Sequence, residues 1–130
     1  MYIRSSSFLS QSLALEAALQ MSKIHPTWFL SGDGVVAFTK ISEFLTSSYK
    51  DLQLHALGIL SQLAPYVTSE DTNTMRIFKK AIPLTGQILQ LSAEHQTLCM
   101  LIVNALSKLP ELQEQITSSG VLEYLLSSIT

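Results

Sequence analysis

Leu60–Pro65 reads LSQLAP and Leu106–Pro110 reads LSKLP, so a Leu-Ser-x-Leu run followed closely by proline recurs after 46 residues, from 60 to 106. Upstream of the first copy, YKDLQLHALGILSQLA places Leu52, Ala56, Ile59, Leu60 and Leu63 on one helical stripe, and Leu54 and Leu57 widen it beyond a single face. A helix apolar over most of its circumference is covered on more than one side. Upstream of the second copy, AEHQTLCMLIVNALSKL is more apolar still, and Pro110 is expected to end it.

The same periodicity extends in both directions. A first helix is predicted over Ser7 to Ser22, stopping before His25-Pro26 because the residue before a proline is pushed out of the helical region. The turn PTWFL leads to Ser31-Gly32-Asp33-Gly34, with Asp33 as candidate N-cap of a second helix reaching about Ser47. TSEDTNTMRIFKKA opens with cap-like residues and early acids and closes on two lysines, as helix dipoles favour. A separate helix, IPLTGQILQLS, is expected after it, with Pro83 near the first turn. ELQEQITSS and GVLEYLLSSIT follow, divided at Gly120. No stretch alternates cleanly over five or six residues as a half-buried strand would, so the chain reads as all-α. The expected starts of the middle helices, Gly34, Ala81 and Gly120, are 47 and 39 residues apart. Those intervals bracket the period of about 40–47 residues of stacked helical repeats.

The 130 residues suffice for one compact unit with a continuous core and no disulfide or metal support. Hydrophobic residues make up 47% and charged residues 14%, which suggests that part of the surface is covered in the full protein. Eight Lys and Arg stand against ten Asp and Glu, and no basic cluster follows a phosphate backbone, so nucleic acid is not an expected partner. The single cysteine, Cys99, lies in the apolar run LCMLIV and reads as a structural thiol. Without a disulfide framework, a reducing cytoplasmic or nuclear setting is expected. The N-terminal stretch lacks a signal-peptide pattern, and Thr97 to Leu106 is too short to cross a bilayer, so no membrane association is expected.

In this register the chain resembles the armadillo family, whose repeat combines a short first helix, a glycine or small residue, a second helix and a longer buried third helix. Glu111–Ile129, ELQEQITSSGVLEYLLSSI, is similar to the first two helices of such a repeat. Asp71–Leu109 resembles a whole repeat with Ala81 at the glycine place, and His25–Ala64 another in which Pro26–Leu30 is a shortened first helix. Ser7–Ser22 then corresponds to the third helix of a preceding repeat. HEAT repeats are the nearest alternative. The resemblance implies a right-handed α-solenoid forming one domain over residues 1–130, with repeats at 25–66 and 67–110 and partial repeats at 1–24 and 111–130. It also implies a fragment of a longer array that binds a protein or peptide partner and catalyses nothing.

In family members that bind extended peptides, third helices line a concave groove with a Trp on one turn and an Asn on the next. Carried over through the Leu-Ser-x-Leu run, the Asn place holds Gln62 and Lys108, and the Trp place holds Gly58 and Asn104. This departure puts an import-type peptide ladder in doubt and leaves the groove surface itself, which extends to Asp51, His55, Thr97 and Leu101. A second expectation concerns the end. Without a third helix to follow, Val121, Leu122, Leu125, Leu126 and Ile129 would be partly uncovered and available for self-association or docking.

No catalytic constellation is visible, and neither cofactor nor metal is expected. His25, His55, His95 and Cys99 are not read as a ligand set, and His55 and His95 read as solvated histidines near the starts of equivalent helices. Glu70 and Asp71 read as helix N-terminal charges rather than paired catalytic carboxylates. Trp28, beside Phe29, reads either as a staple for the shortened first helix or as an exposed aromatic anchor for a partner.

Overall fold

The computed structural model describes residues 4–128, which are helical apart from short connections. In chain order the α-helices are α1 (Arg4–Ile24), α2 (Asp33–Glu43), α3 (Lys50–Leu63), α4 (Thr72–Ile88), α5 (Ala93–Leu106), α6 (Pro110–Ser118) and α7 (Val121–Ser128). Pro26–Leu30, Phe44–Thr46, Ala64–Tyr66 and Leu89–Leu91 form short 3₁₀ turns. The helices make two rows. In one, α3 packs between α1 and α5; in the other, α4 packs between α2 on one side and α6 and α7 on the other.

The core runs between the rows. Phe38 of α2 and Phe78 of α4 are fully buried and meet edge to face with ring centroids 5.4 Å apart. Such pairs add about 0.5–1.5 kcal/mol to what their burial contributes. Leu57, Ile59, Leu60 and Leu63 of α3 are fully buried, as are Ile102 and Leu106 of α5, which explains why both helices read as apolar nearly all round.

Several boundaries differ from expectation. The two helices predicted on either side of Ala81 are one, the 17-residue α4 with Pro83 inside it. Its buried positions, Met75, Phe78, Ala81, Ile82, Thr85 and Ile88, keep three- and four-residue spacing straight through Ala81. Unbroken phase lets one stripe stay on the core, while Pro83 is exposed, so the N–H bond it cannot make and the preceding-turn carbonyl its ring crowds lie on the solvent side. Ala81 is therefore no helix start. Asp33 is not the cap of α2: Gly32, with φ of 59°, holds that place. Gly34 just inside α2 is buried against the Trp28–Phe29 backbone, where any Cβ would collide with the Trp28 carbonyl oxygen. The second helix becomes 3₁₀ at Phe44, and Pro110, expected as a terminator, is the first residue of α6. At that position a proline loses nothing, because its N–H would have had no intrahelical partner.

Candidate partner-binding groove

α3 and α5 are both 14 residues long, and both ends of α5 lie 43 residues beyond those of α3, from 50 to 93 and from 63 to 106. The helices therefore align at 43, not at the 46 suggested by the repeated Leu-Ser-x-Leu run. In α3 that run lies inside the last turn, whereas in the second copy Leu106 is the last helical residue and Leu109 already flanks α6. Similar letters thus occupy different turns.

An open depression of about 390 Å³ crosses the row α1–α3–α5. α3 contributes Asp51, Leu54, His55, Gly58, Ser61 and Gln62, while α1 contributes Leu19 and Lys23 and α5 contributes Glu94, Leu98 and Leu101. The four α3 residues expected in a groove are all here, together with Leu101. Thr97, Asn104 and Lys108 are solvent-exposed but do not line it. At the 43-residue offset, Asp51, His55 and Gly58 correspond to Glu94, Leu98 and Leu101, so the shifted register leaves Thr97 and Asn104 of α5, and Lys108 beyond its end, off the depression. Leu19, Lys23, Leu54 and Ser61 were missed as well, and no signal in α3 or α5 alone would have found the α1 wall.

The depression has an apolar floor and a charged rim. Gly58 lies under Leu19, and a Cβ at 58 would stand 3.2 Å from Leu19 Cδ1, so the glycine sets the depth of the groove. Leu101 is 51% exposed on the opposite side. Asp51 and Glu94 occupy the first turns of α3 and α5, where helix dipoles favour acids. His55 Nδ1 lies 2.6 Å from the Asp51 carbonyl oxygen, which holds the ring along its own helix.

His95 corrects an expectation. It is fully buried in the seam between α3 and α5 rather than solvated. Its Nδ1 lies 2.7 Å from Ser92 Oγ, and Ser92 Oγ accepts the His95 backbone N–H at 3.1 Å, which caps α5. His95 Nε2 lies 3.3 Å from Gln53 Oε1, and Gln53 Nε2 donates to the Ser47 carbonyl at 2.7 Å. Gln53 Oε1 accepts only, so Nε2 of the imidazole carries the proton and Nδ1 accepts from the serine hydroxyl. Every partner is then matched with the ring neutral. Burial lowers the His95 pKa from its ordinary value, the positive charge of Lys50 lowers it further, and Glu94 opposes both. Cys99 stands four residues further along α5, but its Sγ faces the Thr85 carbonyl at 3.8 Å and burial pushes its pKa up to about 12. Among the described residues no group of three or more His, Cys, Asp or Glu side chains could hold a metal ion.

The C-terminal helix is only half as open as expected. Val121 and Leu125 are buried by the neighbouring helices, because α7 turns this stripe onto α4 and α6. Leu122 and Leu126 are exposed, while Ile129 lies outside the described residues. Phe29 is buried and Trp28 is 45% exposed with its ring edge to face on Phe29, so the pair combines the staple with a surface aromatic. Among the described residues no helix is long and apolar enough to cross a membrane. No protein-family model, no curated protein and no solved structure matches this chain.

Proposed function

We propose that this chain is a non-catalytic protein-interaction scaffold, a piece of an armadillo-type helical array that binds a protein or peptide segment along the row α1–α3–α5. One observation carries the reading. Asp51, His55, Gly58, Gln62 and Leu101 were assigned to a groove from helical periodicity and family resemblance, and they line a single depression with an apolar floor and charged rim. The walls are whole helices anchored in the core, so a ligand would bind with little ordering cost on the protein side. Exposed Leu101 beside Leu98 offers apolar contact, and Asp51, Glu94 and Lys23 offer polar contacts around it.

The test is to select peptides from a random displayed library against the chain and measure their affinity for the Leu101→Asp variant. Leu101 is half exposed, so the substitution leaves the core intact. Binding weaker by tenfold or more, about 1.4 kcal/mol, is expected. Ligands indifferent to Leu101→Asp would rule out this groove. A second reading, assembly through α7, draws on exposed Leu122, Tyr124 and Leu126. Light scattering across concentration separates the two, since a stable monomer at micromolar concentration counts against assembly.

A further inference from the structure

Gln53 and His95, the two buried polar side chains of α3 and α5, belong to one run of hydrogen bonds across the seam. The Ser47 carbonyl oxygen accepts from Gln53 Nε2 at 2.7 Å, Gln53 Oε1 lies 3.3 Å from His95 Nε2, and His95 Nδ1 lies 2.7 Å from Ser92 Oγ. Three segments distant in sequence are tied by this run: the connection before α3, the first turns of α3 and the cap of α5.

A second proton on the His95 ring has no place in this arrangement. With Nδ1 protonated, Ser92 Oγ would face two donors, Nδ1 and the His95 backbone N–H, and its own hydrogen would lose the ring as acceptor. The new charge would also stand on the third residue of α5, at the positive end of the helix dipole. Lys50 of α3 opposes the proton, and Glu94 of α5 favours it. Asp51 and His55 of α3 line the open depression. The turns at 44–49, 64–66 and 89–92 bring no charge, only the exposed Tyr49 and Tyr66, and every charged side chain of α4, α6 and α7 is solvent-exposed. Glu94 is exposed as well, so a charged ring is better placed outside the seam than within it.

We infer that His95 is an acid-released latch: on gaining a proton the ring leaves Gln53 and Ser92, freeing the start of α5 and the 44–49 connection while the later turns stay packed. Those later turns are held by carbon, since Ile59, Leu60 and Leu63 of α3 and Ile102 and Leu106 of α5 are fully buried. Helix ends so placed open at lower free energy than the core they flank. Asp51 and Glu94 stand in the two turns that the latch clamps, so the rim of the depression loosens with it. The latch requires no partner in that depression.

Histidine ring titration by NMR, together with amide hydrogen exchange at pH 7.5 and 5.5 corrected for intrinsic rates, tests this on the native chain. The His95 ring is expected to titrate below its ordinary value of about 6.5. Because the open state takes up the proton more readily than the closed one, opening at 44–49 and 92–96 is expected to rise severalfold, and at most about tenfold, on acidification. Exchange at 57–63 and 99–106 should not change. His95→Gln, which does not titrate, is expected to abolish the rise, and His55→Gln to leave it. Lys50→Gln keeps the test open if the buried glutamine prevents folding. Lys50 is exposed, and loss of its charge eases protonation of the closed ring, so the rise should shrink. A His95 ring that titrates at or above 6.5 overturns the proposal. So does equal protection at both pH values, or a rise that persists in His95→Gln or is undiminished in Lys50→Gln. Loss of protection spread evenly over all helices also overturns it, since acid would then destabilise the whole fold rather than release one seam.

Discussion

α3 and α5 are equal in length, lie side by side, end on buried leucines and bury an isoleucine at the same step, Ile59 and Ile102. Two of their differences matter most for the seam and the depression. Leu52 near the start of α3 is an ordinary apolar core residue, while the matching residue of α5 is His95, buried just as deeply and tied through Gln53 to the connection before α3. In mid-helix, Gly58 opens the floor of the groove where α5 has the half-exposed Leu101. One backbone element thus carries a polar lock on one face and part of an open depression on the other. Different residues at equivalent steps change the local chemistry without changing the helix.

The largest effect tests whether the two helices are equivalent in energy as well as in geometry. Leu63→Ala and Leu106→Ala remove fully buried side chains from matching last positions, and each is expected to cost about 2–5 kcal/mol. Denaturant unfolding checks this, and a cost below 1 kcal/mol at only one of them would break the equivalence. His95→Ala leaves Gln53 Oε1 without its imidazole partner, for an expected loss of about 1–3 kcal/mol. It also removes a pH dependence. The folded pKa of His95 lies below its ordinary value of about 6.5, so on acidification the unfolded chain takes up the proton first. Stability is therefore full above pH 6.5, falls as pH drops below it, and levels off below the folded pKa. Unfolding midpoints of the native chain and His95→Ala at pH 7.5 and 5.5 should converge toward acid; parallel behaviour would show that the seam is insensitive to this proton. The smallest effect is at Gly58→Ala. Helix propensity favours alanine by about 1 kcal/mol, and the mobile end of Leu19 needs to give only a few tenths of an ångström. A gain below 1 kcal/mol is expected in the melting curve, along with a shallower groove and weaker binding of Leu101-dependent ligands.

Much of the helical plan was legible because it depends on local spacing. Apolar steps of three and four, Pro26 after His25, and Gly120 with φ of 76° between α6 and α7 each act within a few residues. That Asp51, His55, Gly58 and Gln62 share one face of α3 follows from the same short-range spacing. The continuity of α4 was not, because a small residue next to a proline resembles a junction until the core is seen to need one stripe on both sides. The repeated Leu-Ser-x-Leu run suggests an offset of 46 residues, whereas α3 and α5 begin and end 43 residues apart, and only packing fixes which turn sits beside which. His95 reads as solvated from its place near a helix start, while its partner Gln53 is 42 residues away in the chain.

By itself, the sequence determined that the chain is all-α among its described residues, where most of its helices begin and end, and which α3 side chains share a face. These follow from helix periodicity, capping and proline geometry, all short-range. Tertiary structure alone decided that α3 and α5 align at 43 residues, that Val121 and Leu125 are covered, that His95 is buried in a seam beside Gln53, and that α1 and α2 leave an apolar trough between them. Each of these depends on which surface is removed from water by an element distant in the chain, and no local pattern encodes that contact.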